Sequence, residues 1–121
     1  MPFEISIERE FAAAHQIRLH DGTLEPLHGH NWRVCVTVAA DNPDAIGTVM
    51  DFHALGRLVD VLLEPRHNRN LNDVPALHDM NPTAENVARH VAEHLELHDK
   101  SVTLVMVSVT EAPGCTAVYR P

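Results

Sequence analysis

Cysteine is scarce: Cys35 and Cys115 are the only two in 121 residues. Two thiols make no disulfide framework, so the expectation is a cytoplasmic protein with both reduced. Aromatic side chains are 4% of the chain, too few to build a stacking platform for single-stranded nucleic acid. Lysine and arginine total nine against seventeen acidic residues, a formal charge of −8. Phosphate backbones require clustered cations, so nucleic acid is excluded as a partner. There is no run of 18 apolar residues, so no membrane span is expected. The start, Met1-Pro2-Phe3-Glu4, has neither the basic nor the apolar region of a signal peptide.

What the chain has instead is histidine, ten of them. Two stand in Leu27-His28-Gly29-His30-Asn31-Trp32. The following residues, Trp32 to Val38, are rich in β-branched side chains and read as a strand. Alternate residues of a strand share a face, so His28 and His30 lie on the side of Trp32, Val34, Val36 and Val38. Phe3 to Ile7 alternates apolar and polar, a half-buried strand. If that strand continues, Phe11, Ala13 and His15 keep the parity of Phe3, Ile5 and Ile7. Antiparallel pairing of the two strands then brings His15 beside His28 and His30. Three imidazoles with a fourth position open are the donor set of a catalytic zinc site.

The rest of the chain is orderly. Asp41-Asn42-Pro43-Asp44 is a turn cluster. Phe52, Leu55, Leu58, Val59 and Leu62 recur at helical spacing, and Pro65 ends that helix. A loop spans Arg66 to Met80. Asn81-Pro82-Thr83 opens a second helix with Val87, Val91 and Leu95 on its apolar stripe. Strands at Val102–Thr110 and Cys115–Tyr119 close the chain around an Ala112-Pro113-Gly114 turn. The order β-β-α-α-β-β is α+β, one domain over residues 1–121, with two helices on one face of a four-stranded antiparallel sheet. The uncovered face and edges call for a symmetric homo-oligomer.

In order along the chain stand Phe11-Ala12-Ala13-Ala14-His15, Leu27-His28-Gly29-His30-Asn31, Asp51-Phe52, Leu71-Asn72-Asp73, Asn81-Pro82-Thr83-Ala84-Glu85-Asn86 and Glu111. Together they resemble the 6-pyruvoyltetrahydropterin and 6-carboxytetrahydropterin synthase family. The resemblance implies a tunnelling fold (T-fold), in which trimers close their sheets into a barrel and two trimers stack as a hexamer. It implies zinc on His15, His28 and His30, a dihydropterin substrate, and a site at subunit interfaces. Glu111 would anchor the pterin ring, its two oxygens facing two adjacent N–H donors, and Thr83 would border the ring.

The chain departs from the family pattern where the chemistry belongs. The usual catalytic cysteine, four residues before the first histidine of the motif, is Leu24 here. The usual Asp-His pair is His67-Asn68. Leucine takes no proton, so the thiol-dependent pyruvoyl-forming reaction is not expected. Glu25, three residues before His28, matches a variant branch that cleaves the side chain of dihydroneopterin triphosphate to 6-hydroxymethyl-dihydropterin, a folate precursor. The resemblance therefore implies a zinc-dependent lyase with Glu25 as general base, and His67 as a second candidate proton carrier. Arg66 and Arg69 would anchor a phosphorylated side chain. The alternative is a pterin-binding homologue without the synthase reaction. A separate reading is a metalloprotease-like HxxEH string, His90 to His94, with His98 one turn further. That helix face lies opposite Val91 and Leu95 and is expected to face solvent.

Overall fold

The computed structural model describes residues 1–121. Two thirteen-residue strands, β1 (Phe3–His15) and β2 (His28–Ala40), pair antiparallel along their whole length, from Phe3 opposite Ala40 to His15 opposite His28. α1 (Phe52–Leu63) starts at Asp51, whose carboxylate accepts the His53 N–H at 3.2 Å. Pro65 does not stop the chain's helical course at once. It sits at the start of a 3-10 turn, Glu64–Arg66, where its missing N–H costs nothing.

The segment expected to be a loop carries further structure. β3 (Arg69–Asn70) pairs in parallel with Ala13–Ala14. A 3-10 turn over Leu71–Asp73 and a single turn of helix, α2 (Pro75–His78), follow. α3 (Ala84–His94) is capped by Thr83, whose hydroxyl accepts the Asn86 N–H at 3.1 Å. β4 (Thr103–Ala112) and β5 (Cys115–Tyr119) close the fold around Gly114, at φ +81. The sheet order is β3-β1-β2-β4-β5. The expected four antiparallel strands thus become five, with one short parallel strand at an edge. Two residues leave no periodic pattern, so β3 has no sequence signal of its own.

Parity decides which side is packed. Ile7, Phe11, Trp32, Val34, Val36, Val38, Val107 and Val109 join Leu55 and Val59 of α1 and Val87 and Val91 of α3 in one core. Trp32 is wholly buried, stacks on Phe11, and donates its indole N–H to the Ala13 carbonyl at 3.1 Å. The other face of the sheet presents Glu4, Glu8, Glu10 and Arg33 to solvent. No helix is long and apolar enough to cross a membrane.

A bulge falls where it matters most. Thr110 is opposite Thr116, but Ala112 is opposite Cys115, so Glu111 is the extra residue on β4. Such a bulge bends the strand and re-aims a side chain. Strand alternation already puts Glu111 on the face of Val107 and Val109, and its carboxylate lies at the end of the sheet occupied by the histidines.

Candidate metal centre and pterin cleft

His15 and His28 face each other across the β1–β2 register, and His30 lies one pleat further on the same face. Their ring centroids form a triangle with sides of 4.7, 5.0 and 4.8 Å. One ligand atom from each lies within 4.8 Å of the others. Carbonyl oxygens fix two of the tautomers. His15 Nδ1 donates to the Pro82 carbonyl at 2.7 Å, and His28 Nδ1 donates to the Pro26 carbonyl at 2.8 Å. A carbonyl only accepts, so the neutral rings carry their lone pairs on Nε2.

Those two Nε2 atoms are 3.1 Å apart. Two acceptors at that distance repel unless a cation lies between them. His30 Nε2 is buried with no hydrogen-bond partner. Donors about 2.0–2.1 Å from a tetrahedral zinc ion stand roughly 3.3 Å from each other. The facing lone pairs and the orphaned buried nitrogen therefore fit a metal ion. Burial, chiefly, holds the His30 imidazole below its usual pKa, an effect that Glu111 and Glu25 oppose and His15 and His28 reinforce. The neutral ring is the ligating form.

Two carboxylates flank the trio. Glu111 Oε1 is 3.4 Å from His15 Nε2, and Glu25 Oε1 is 3.9 Å from His28 Nε2. The Glu25 carboxylate also accepts the Ile17 N–H at 3.1 Å, which fixes one of its oxygens. Clefts open on both sides of His30. One, of about 540 Å³, is lined by Glu10, His30, Arg33, Thr110 and Glu111. The other, of about 590 Å³, has a floor of Ala12, Ala14 and Gly29 and a rim that includes Asn68 and Arg69. Glu111 also lines a third cleft with Ala84, Glu85 and Cys115 at the start of α3. Thr83 stands beside that helix start, its hydroxyl engaged in the cap.

Two expected site residues, Arg66 and His67, make their contacts within the chain away from the trio, and the HxxEH helix differs from its expected exposure. Arg66 does not extend toward the clefts around His30. Its Nη1 donates to the Leu62 carbonyl at 2.6 Å and its Nε to His90 Nε2 at 2.9 Å, which ties the end of α1 to α3. His67 is not brought to the trio within the chain. Its Nδ1 accepts the Ala12 N–H at 3.1 Å, while the Asn68 N–H donates to the Ala12 carbonyl at 2.6 Å, so the pair caps the edge of β1. His90 is buried, not solvent-facing, because Arg66 reaches it from the preceding segment. α3 ends at His94, so His98 is not on its face. A guanidinium already occupies His90, and the HxxEH string is no metal site.

Burial, with Arg66 and His94 nearby, pushes the His90 pKa down to about 4 from 6.5. Between those values the unfolded chain binds a proton that the folded chain refuses, so stability falls as pH falls. The stabilisation is complete above pH 6.5 and drains away toward pH 4, up to about 3 kcal/mol in all. In urea melts the pH slope over this window should flatten in His90→Gln, which cannot titrate. Parallel slopes for the two proteins would refute this.

The family model described as 6-pyruvoyl tetrahydropterin synthase matches residues 4–121. A 6-carboxy-5,6,7,8-tetrahydropterin synthase of Bacillus subtilis is 31% identical, covering 98% of this chain and 86% of that protein. A dihydroneopterin monophosphate aldolase of Pyrococcus furiosus is 34% identical over 78% of this chain and 76% of its own length. The 6-pyruvoyl tetrahydropterin synthase of Caenorhabditis elegans superposes with a TM-score of 0.81 at 26% identity, covering 98% of this chain and 96% of that one. A T-fold with a three-histidine cluster beside two carboxylates defines the class. The chain belongs to the 6-pyruvoyl tetrahydropterin synthase family, with a pterin-processing role.

Proposed function

We propose that the protein is a zinc-dependent lyase that cleaves the side chain of a phosphorylated dihydroneopterin to 6-hydroxymethyl-dihydropterin, with Glu25 as general base. The observation that carries this reading is the fixed Glu25 carboxylate, 3.9 Å from His28 Nε2, with Leu24 where the usual thiol would stand. Similarity to an aldolase as well as to synthases supports it. His15, His28 and His30 would hold the zinc ion, which supplies a Lewis acid for a side-chain oxygen. Glu25 takes the proton of the C2′ hydroxyl. The C1′–C2′ bond breaks, its electron pair passing into the pterin ring, and C1′ is then protonated. The products are 6-hydroxymethyl-dihydropterin and a two-carbon aldehyde that keeps the phosphate.

Glu111 anchors the pterin ring by a paired hydrogen bond, supported by its exposure on two clefts beside His15. Thr83, the cap of α3 next to Ala84 of the third cleft, borders the ring. Arg69 meets the phosphorylated tail, supported by its place on the rim of the cleft that adjoins His30. Arg66, turned inward, steadies the segment that carries Arg69. Assembly into a hexamer of two trimers belongs to the same reading and would cover the open sheet face. Analytical ultracentrifugation showing only monomer would remove that part.

Product analysis after incubating zinc-loaded protein with dihydroneopterin mono- and triphosphate tests the reaction. The expected product is 6-hydroxymethyl-dihydropterin. Tight binding without any product would leave a pterin-binding protein in its place. Charged-acceptor hydrogen bonds are worth roughly 1.5–3 kcal/mol. Glu111→Ala should therefore weaken pterin binding at least about tenfold in calorimetry. Unchanged affinity would remove Glu111 from the ring.

A further inference from the structure

One edge of the segment after His15 pairs with residues 23–25 through a single antiparallel bridge, Arg18 opposite Leu24, and the other edge has side chains for partners. Asn72 Oδ1 accepts the Gln16 N–H at 2.9 Å, and Asn72 Nδ2 donates to the Gln16 carbonyl at 2.8 Å. Asn81 does the same two residues on. Its Oδ1 accepts the Arg18 N–H at 2.8 Å, and its Nδ2 donates to the Arg18 carbonyl at 2.9 Å. Ile17 faces the opposite way. Its N–H donates to Glu25 Oε1 at 3.1 Å, and its carbonyl accepts the Glu25 N–H at 3.0 Å.

This is strand geometry with side chains as the neighbour. Successive residues of an extended chain turn their N–H and C=O groups to opposite sides. A primary amide presents one acceptor and two donors, so it satisfies both groups of one residue. Asn72 and Asn81 thus act as a substitute strand along one edge of residues 16–18. The other edge carries the Arg18–Leu24 bridge and both bonds between Ile17 and Glu25.

Each amide is itself fixed. The Asn72 N–H donates to Asn70 Oδ1 at 3.0 Å, and the Asn72 carbonyl is bonded to His78 Nδ1 at 3.0 Å. Asn81 sits at φ +66, a left-handed conformation that asparagine tolerates, with its carbonyl accepting Asn86 Nδ2 at 2.9 Å. The residue after it, Pro82, supplies the carbonyl that orients His15.

We infer that Asn72 and Asn81 are positioning residues for the Glu25 carboxylate, acting through the main chain of residues 16–18. The inference rests on the reading of Glu25 as the base and adds the device that aims it. Neither amide touches the trio. Their effect passes through Gln16 and Arg18 to the Ile17 N–H that holds the carboxylate oxygen.

Asn72→Asp and Asn81→Asp keep the side-chain size and the acceptor. They turn a second oxygen toward a carbonyl, so the substitute strand opens. Each should lower kcat at least about tenfold with KM within about twofold and zinc content unchanged. In a Glu25→Gln background the same substitutions should add less than about a twofold loss, because they act only through Glu25. Additive losses in both backgrounds would overturn the inference.

Hydrogen exchange gives a readout independent of turnover. The Gln16, Ile17 and Arg18 amides should be protected in the wild-type protein, and Ile17 protection should fall in each variant. Rapid exchange at these amides in the wild type would overturn the clamp even if neither variant folded. Wild-type turnover in Glu25→Gln alone would instead refute the base, while the Ile17 amide still reports the clamp.

Discussion

His30→Ala is expected to abolish zinc retention. His30 contributes the buried nitrogen that has no other partner, so its removal takes away a ligand and nothing else that the fold uses at that atom. Changing an outer partner of a zinc ligand already costs about 10–100-fold in affinity, and loss of a ligand itself should cost more than about 100-fold. His28→Ala should do the same, and its side chain is half exposed, so little core packing is lost. His15 is a poorer test. It is wholly buried, with its ring edge against Trp32, and its removal opens a cavity as well. Metal analysis of the purified variants checks this, with thermal melts before and after chelation. Binding to the folded state alone raises stability by mass action, so chelation should lower the wild-type melting temperature and leave both variants unmoved. Full zinc occupancy in both variants would sink the assignment.

The histidine trio was legible because strand parity is strict. A one-residue slip of β1 would have sent His15 to the solvent face, away from His28, and would have exposed Phe11 and buried the acidic residues beside it. The apolar pattern of Phe3 to Phe11 forbids that slip, and the observed register places His15 opposite His28. The α1 and α3 stripes were legible for the same reason, with periodicity 3.6 in place of 2. The short elements between residues 66 and 80 were not. β3 exists because Asn68 and His67 bond to Ala12 and guide the chain onto the β1 edge, contacts 55 and more residues apart. His90 shows the same limit. Its neighbours on the helix read as polar, but the group that buries it arrives from Arg66, 24 residues earlier. The two asparagine clamps lie in segments that the family resemblance had picked out, Leu71-Asn72-Asp73 and Asn81-Pro82-Thr83. Side-chain amides that replace a strand leave no periodic trace, so their partners emerge only from the folded structure.

Glu25→Gln separates chemistry from placement. Glutamine has the same shape and keeps an oxygen that can accept the Ile17 N–H, so the side chain should stay where the structure holds it. What it loses is the ability to take a proton. A positioned general base contributes typically 10²–10⁴-fold, so kcat should fall by about that factor. Glu25 is not among the groups assigned to the pterin ring or the phosphate, so KM should move little. Zinc content should not change either, since the three imidazoles are untouched. A fall in kcat with KM and zinc constant is the signature of an interaction made in the transition state. Loss of zinc together with activity would recast Glu25 as a support for His28, which its 3.9 Å approach to Nε2 also allows. Turnover within about threefold of wild type would remove Glu25 from the reaction. The candidate proton carrier would then be His67, supplied across a subunit interface of the proposed hexamer. His67→Ala should in that case lower kcat at unchanged affinity.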